Sequence, residues 1–229
     1  MSEIIDRWRA GEGLPGCLVI DGHTHIMAWP YGVDHSTPEE GVAQAVAAMD
    51  ANGVDAACVM SGGYMFAGLD YTVGNDVLLE MTRMAPERLI AFGHINPNDT
   101  WERIEAELER IYAMGFRCLK LLNDYQDRYP GDGPNLMALY QFAAERNMLV
   151  FNHMWLPGEL PKIAREFPSV DLICGHYLGS EHEPLLREFP NVYTNLASIH
   201  SLGFLERAVR NVGAHKYLMG SDGFMVPLS

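Results

Sequence analysis

The sequence is short of basic residues, with 16 Lys and Arg against 30 Asp and Glu, and a formal net charge of −14 over 229 residues. Proteins that bind nucleic acids or anionic membranes usually present a basic face, so this balance argues against both as main partners. No apolar run approaches the roughly 18 residues that span a bilayer. The N-terminus also lacks the basic start and apolar stretch of a secretory signal. We therefore expect a cytoplasmic protein.

Cysteine is scarce as well. The chain has 4 cysteines (Cys17, Cys58, Cys118 and Cys174), which are far apart and mostly lie within apolar runs. Such residues are typically buried, reduced thiols, so we expect a hydrophobic core rather than disulfides to stabilise the fold. A chain of this length can bury about 70% of its extended surface.

What the chain does contain is an alternation of short apolar segments with longer segments of helical periodicity. Eight strands are predicted at residues 17–23, 55–60, 89–95, 116–122, 148–153, 171–176, 191–196 and 216–221. Helices are predicted between them at residues 38–51, 75–84, 101–114, 135–146, 159–167, 183–189 and 203–211. Most of the strands are continuous apolar runs, which is typical of parallel strands covered on both faces.

The connections between these elements are unequal in length. Those from helix to strand are short, whereas those from strand to helix are mostly long and rich in aromatic residues, at 26–37, 61–74, 123–134 and 177–182. A (β/α)₈ barrel builds its active site from the loops that follow its strands. We therefore predict a single-domain α/β protein, a (β/α)₈ TIM barrel with its core at 16–222 and an N-terminal extension at 1–15. An open doubly wound sheet is the alternative, disfavoured because the chain lacks a Gly-rich phosphate fingerprint.

The end of the chain leaves no room for an eighth helix, because only 7 residues follow Asp222. We expect that the given chain stops short of the natural C-terminus. The alternative is that a partner, or residues 2–10, covers the eighth strand.

Residues of the types that bind metal ions lie at the predicted strand ends: His23 and His25 at the first, His153 at the fifth, His176 at the sixth and Asp222 after the eighth. Alternate residues of a strand share a face, so both histidines of the first strand can point inward. The strand ends of a barrel meet at one rim, where imidazoles and a carboxylate suit Zn²⁺ or a similar divalent ion with a position left for water. Coordination lowers the pKa of that water to about 7.

Each of these residues alone has a simpler interpretation. A His-X-His pair is more often found at the surface, a single strand histidine is more often a hydrogen-bonded core residue, and Asp222 could end a turn. Their joint occurrence at four strand ends is what indicates a metal site.

The order of these residues resembles the amidohydrolase superfamily. The segments IDGHTHI, GFRCLKL, LVFNHM, ICGHYLGS and YLMGSD are similar to its amidohydrolase-related (amidohydrolase 2) branch. That branch includes aminocarboxymuconate-semialdehyde decarboxylase and related metal-dependent hydrolases. The resemblance covers residues 17–222.

The resemblance implies roles for individual residues. One divalent ion is held by four ligands, namely His23, His25, His153 and Asp222. His176 acts as an electrophile or orients water, and Asp222 doubles as a general base. In binuclear members a carbamylated lysine at the position of Lys120 bridges two metal ions, whereas in mononuclear members it can hold a substrate anion. We favour the mononuclear form.

Several further residues lie near the predicted rim. We expect Lys120, Arg128 and His200 to contact substrate, although Lys120 could instead pair with a carboxylate. Asp21 either accepts a hydrogen bond from a ligand imidazole or caps the strand end. His94 is expected to be structural.

Two reactions compete for this site. Metal-activated water would hydrolyse a small amide, lactone or ester, which we favour because cations that could hold a substrate carboxylate are few. The alternative is non-oxidative decarboxylation of a small aromatic or enoic acid. A third hypothesis is that the chain is a non-catalytic, metal-stabilised binding protein. We expect a homo-oligomer from the general frequency of such assemblies.

Overall fold

The computed structural model describes residues 3–26, 37–61, 70–156, 158–176, 182–197 and 202–223. The strands are β1 (Ile20–Ile26), β2 (Ala56–Ser61), β3 (Leu89–His94), β4 (Cys118–Leu121), β5 (Leu149–Asn152), β6 (Leu172–Cys174), β7 (Val192–Asn195) and β8 (Tyr217–Leu218). The helices are α1 (Glu3–Arg9), α2 (Pro38–Asn52), α3 (Tyr71–Met84), α4 (Trp101–Ala113), α5 (Pro134–Arg146), α6 (Glu159–Glu166), α7 (Glu183–Glu188) and α8 (Leu202–Val212). A 3₁₀ turn, Ala214–Lys216, precedes β8.

All eight strands form one sheet in the order of the chain, from β1 to β8. Each strand pairs in parallel with the next, and helices lie between successive strands in the sequence. This arrangement confirms the predicted fold class, the (β/α)₈ barrel. Among the described residues no helix follows β8. None of the helices in the described segments has the length and apolar character needed to traverse a bilayer.

The residues divide into two compact units, one formed by 1–91 with 219–229 and the other by 92–218. The division falls inside β3. Its ladder with β2 ends at Ala91, and its ladder with β4 begins at Phe92. The single-domain organisation stays a prediction.

The first unit contains α1, which the sequence analysis does not predict because the helix is short and lies in a mostly polar segment. The chain after α1 packs against the end of α2. A Cβ on Gly53 would lie 2.8 Å from the backbone carbon of Glu12, and Gly53 adopts a φ of 66°. Only glycine satisfies both constraints. At the other end of α2, the hydroxyl of Thr37 caps the helix by accepting a hydrogen bond from the backbone N–H of Glu40.

The second unit has an apolar core of strand and helix residues. Ile104, Leu108 and Ile111 lie on one face of α4 and are completely buried, as their helical spacing predicts.

Helix α3, in the first unit, begins four residues earlier than predicted, because the carboxylate of Asp70 caps it by accepting a hydrogen bond from the backbone N–H of Thr72.

All four cysteines are free thiols, as expected, but they are not uniformly buried. Cys174 is buried, whereas Cys17 is exposed because β1 begins three residues after it. Burial raises the pKa of the Cys174 thiol to about 11, so it stays protonated at neutral pH.

Lys216 anchors the entry to β8. Its ammonium donates to the backbone carbonyls of Phe189, Pro190 and Val192 at 2.9, 2.7 and 3.0 Å, and the residue is only 6% exposed. These charge-assisted bonds satisfy three carbonyls between the end of α7 and the first residue of β7.

We expect Lys216→Met to lower the free energy of unfolding by about 2–4 kcal/mol, because it leaves these three carbonyls without their charged donor. Chemical denaturation measures the change. Lys162→Met is the matched control, since Lys162 is exposed and pairs with Asp132 at the surface. Equal stability of the two variants would contradict the assignment.

Candidate functional site

The first strand brings two histidines into the interior of the first unit. In β1 the residues from Asp21 to Ile26 are all buried, and the pairing with β2 shifts register between Asp21 and Thr24. Such a bulge lets adjacent side chains be re-aimed at the end of a strand. His23 is completely buried and His25 is 5% exposed.

His23, His25 and Asp222 form a group with the geometry of a metal centre. The Nε2 atoms of the two histidines are 3.3 Å apart. Oδ1 of Asp222 lies 3.0 Å from Nε2 of His23 and 3.5 Å from Nε2 of His25. Ligands about 2.0–2.1 Å from one tetrahedral ion are about 3.3 Å from each other. These three side chains therefore fit a single divalent ion, and they are the group of this kind found within the described residues.

Asp222 reaches this group through an irregular backbone. β8 ends at Leu218, earlier than the sequence predicts, and the chain then runs beside β1. The N–H of Gly22 donates to the carbonyl of Met219, and the N–H of Asp222 donates to the carbonyl of His23. Asp222 has a φ of 55°, in the left-handed region that Asp and Asn tolerate better than most residues.

Asp21 holds this arrangement together. Its carboxylate accepts from the N–H groups of His23 and Ser221, both at 3.0 Å, and from the hydroxyl of Ser221 at 2.6 Å. Burial raises the pKa of Asp21, and the hydrogen bonds oppose that shift. The sequence leaves two roles open for Asp21, a hydrogen bond to a ligand imidazole or a cap of the strand end. These contacts support the cap.

The second unit contains another pair of predicted site residues, His153 and His176. Their ring centroids are 4.6 Å apart in an edge-to-face arrangement. Gly175 permits this approach, because a Cβ there would lie 2.9 Å from the backbone of His153. Nδ1 of His153 is 2.6 Å from Oδ2 of Asp124. As a metal ligand, His153 stays a prediction.

Asp124 is the residue at this site that the sequence analysis misses. It lies in the long connection after β4, where Asp127 and Asp132 are equally plausible by composition. No spacing rule singles out one of the three. Asp124 is the nearest of the three to the end of the strand, and this is the signal that could have favoured it.

Lys120 and His94 are paired across β3 and β4, and both are buried. The ammonium of Lys120 lies 3.9 Å from the centroid of the Phe151 ring, within the range of a cation–π contact. Burial lowers the pKa of His94 to about 3, so its imidazole is neutral at physiological pH. This supports the structural role expected for His94.

Of the two remaining predicted substrate contacts, the structure describes Arg128 and not His200. Arg128 is exposed in the connection after β4, and both Asp127 and Arg128 have left-handed φ values, 54° and 53°. His200 lies outside the described residues. The roles of Arg128 and His200 in substrate binding stay predictions.

Comparison with known proteins gives a family and a set of similar folds. A family model described as Amidohydrolase matches residues 20–229. No curated protein is significantly similar to the chain in sequence.

Similar solved structures include 5-carboxyvanillate decarboxylase from Novosphingobium aromaticivorans with bound manganese. It is 14% identical, the match covers 92% of this chain and 89% of the other, and the TM-score is 0.69. A second is 2,6-dihydroxybenzoate decarboxylase from Rhizobium, with 15% identity, coverage of 91% and 87%, and a TM-score of 0.59. A third is a probable 2-pyrone-4,6-dicarboxylic acid hydrolase from Acinetobacter baumannii, with 14% identity, coverage of 90% and 84%, and a TM-score of 0.59. At these identities the likeness concerns the fold.

We expect His25→Ala to weaken the binding of Mn²⁺ or Zn²⁺ by more than about 100-fold, because loss of a direct ligand should exceed the 10–100-fold cost of an outer-shell change. Calorimetric titration and elemental analysis measure the affinity and the stoichiometry. His215→Ala, at an exposed histidine, is the control and should bind like the unmodified protein. Unchanged stoichiometry in His25→Ala would refute the ligand assignment.

The buried His94 also predicts a pH dependence of stability. Its pKa is about 3 when folded against 6.5 as the reference value, so between these pH values the unfolded chain binds the extra proton. Stability present above pH 6.5 is therefore lost as the pH falls, by up to about 1.4 kcal/mol per pH unit. His94→Gln should show a shallower slope in urea denaturation from pH 7 to pH 4. Identical slopes would show that His94 does not govern this dependence.

Proposed function

The chain belongs to the amidohydrolase family, and on this premise we propose that it is a metal-dependent enzyme that decarboxylates a small aromatic or enoic acid. The observation that carries the proposal is the buried ammonium of Lys120 against the ring of Phe151. The sequence alone favours hydrolysis, because cations near the predicted rim are few. The surroundings of Lys120 reverse that preference.

A decarboxylase must hold the carboxylate that leaves. Lys120 is fully buried, and an ammonium in a weakly polar environment attracts an anion much more strongly than one in water. The ring of Phe151, which is also completely buried, contacts the ammonium at 3.9 Å and keeps its surroundings weakly polar. An acidic substrate matches this environment. We propose Arg128 and His200 as further substrate contacts.

The metal ion would be held by His23, His25 and Asp222, whose donor atoms lie within 4.8 Å of one another. We propose His153 as a further ligand, as the family resemblance implies. When bound, the ion supplies Lewis-acid polarisation of a substrate oxygen. Zn²⁺ is the ion expected from the sequence, and Mn²⁺ is the alternative because the 5-carboxyvanillate decarboxylase of similar fold contains it.

The reaction breaks the bond between the carboxylate and its neighbouring carbon. The bonding electron pair stays on that carbon, CO₂ leaves, and a proton takes the place of the carboxylate. We propose that Asp222 delivers this proton, because a carboxylate that binds through Oδ1 can carry a proton on Oδ2. His176 is proposed to donate a hydrogen bond to a substrate oxygen.

Hydrolysis is the second candidate. A probable 2-pyrone-4,6-dicarboxylic acid hydrolase has a similar fold. Its substrate also carries carboxylates, so the environment of Lys120 suits it as well. In that case Asp222 would accept a proton from water rather than deliver one to carbon.

Incubation of the Mn²⁺- or Zn²⁺-loaded protein with hydroxybenzoic and enoic acids in H₂¹⁸O separates the two reactions. We expect CO₂ release and a product that contains no ¹⁸O from the solvent. In D₂O the product should carry one deuterium at the carbon that lost CO₂. Lys120→Met should raise KM by at least about 10-fold, since the substrate carboxylate loses its partner.

A panel of lactones and esters is tested in parallel, and circular dichroism verifies that each variant is folded. Solvent ¹⁸O in the product, without CO₂ release, would overturn the decarboxylase proposal in favour of hydrolysis. Metal content near two per chain, with excess mass on Lys120, would instead indicate the binuclear form.

A further inference from the structure

We propose that Asp124 is a positioning residue that fixes the tautomer and the ring orientation of His153, so that Nε2 of His153 is the atom offered to the metal ion. This inference deepens the proposed function, since it rests on His153 as a ligand. It concerns a carboxylate that neither the family resemblance nor the sequence pattern assigns.

The hydrogen bond between the two residues determines which ring nitrogen carries the proton. Oδ2 of Asp124 lies 2.6 Å from Nδ1 of His153. An ionised carboxylate can only accept, so Nδ1 must carry the hydrogen and donate it. In a neutral imidazole Nε2 is then the lone-pair nitrogen. That is the form of histidine that binds a metal ion through Nε2.

Two further contacts restrict the ring of His153. The ring of Tyr125 meets it at a centroid distance of 5.0 Å and an angle of 70°, and the ring of His176 meets it at 4.6 Å and 76°. Both are edge-to-face arrangements. The hydrogen bond to Asp124 therefore selects one of the two flipped orientations that this space would admit.

A separate group of hydrogen bonds holds together the two connections that carry Asp124 and His153. The carboxylate of Glu159 accepts from the N–H of Gly131 at 2.9 Å and from the N–H of Leu156 at 2.7 Å. The hydroxyl of Tyr140 accepts from the indole of Trp155 and donates to the carbonyl of Gly131. We call these five residues the loop clamp.

Asp124 is not part of the loop clamp. Among the described residues, its Oδ1 is buried without a hydrogen-bond partner, and its Oδ2 bonds to His153. The carboxylate therefore serves the imidazole rather than the backbone of the loop. The structure thus offers a matched pair of variants, one that removes the imidazole partner and one that loosens the clamp.

The first measurement is the ¹⁵N spectrum of the metal-free protein with labelled histidine, with His153 assigned through His153→Ala. We expect the unmodified protein to show the Nδ1–H tautomer at His153. Asp124→Leu should populate both tautomers, and Asp124→Asn should lie between, because its amide can either accept or donate. Glu159→Gln loosens the clamp but keeps Asp124, so the Nδ1–H tautomer should persist.

The second measurement is the affinity for Mn²⁺ alone. Asp124→Leu should weaken it about 10–100-fold, as for other outer-shell partners of ligand histidines. Asp124→Asn should recover part of the loss. Glu159→Gln should change the affinity by less than Asp124→Leu does.

Three results would overturn the inference: an Nε2–H tautomer at His153 in the unmodified protein, an unchanged Mn²⁺ affinity in Asp124→Leu despite a changed tautomer, or equal effects of Glu159→Gln and Asp124→Leu on both readouts. Because neither readout uses turnover, the inference and the proposed reaction fail separately. Protein that shows the Asp124 effects but releases no CO₂ would retain the positioning role and lose the decarboxylase assignment.

Discussion

The ligand group of the first unit depends on one buried carboxylate. Asp21 accepts two backbone N–H groups and one hydroxyl, and in doing so it ties residues 219–222 to the first strand. Asp21 is only 1% exposed, so these three hydrogen bonds are the partners that its buried carboxylate needs. Together with the backbone bonds from Gly22 to Met219 and from Asp222 to His23, they hold the carboxylate of Asp222 beside the two imidazoles.

Each unit uses an aspartate to position histidines, but the two aspartates act on different groups. Asp21 acts on the backbone and determines where a strand end lies. Asp124 bonds to an imidazole and, by our inference, determines which nitrogen that ring presents. The distinction matters for substitution. An amide in place of Asp21 could keep its oxygen toward the two backbone N–H groups only if the hydroxyl of Ser221 turned to accept from its NH₂ group, whereas an amide in place of Asp124 needs only to turn its oxygen toward Nδ1 of His153.

The regular parts of the fold are predictable because their causes are local. Continuous apolar runs identify the strands, and a period of 3.6 places Ile104, Leu108 and Ile111 on the buried face of α4. The histidines and the aspartate at the strand ends can likewise be identified from the sequence. The irregular backbone is not, since the bulge in β1 lies in its ladder with β2, and the chain after β8 is held to β1 by contacts between residues 200 positions apart. Asp124 eludes prediction for the same reason, because its partner is 29 residues away.

The left-handed backbone of Asp222 has a consequence for reading related sequences. Asparagine, aspartate and glycine are the residues that accept this conformation at low cost. Selection for the shape of the chain and selection for chemistry therefore favour the same amino acid here. In a related protein in which this position no longer takes part in catalysis, the backbone conformation alone would still favour asparagine, aspartate or glycine. The presence of aspartate at this position is thus weak evidence for activity. Its replacement by a bulky or β-branched residue would be strong evidence that the local backbone conformation has changed.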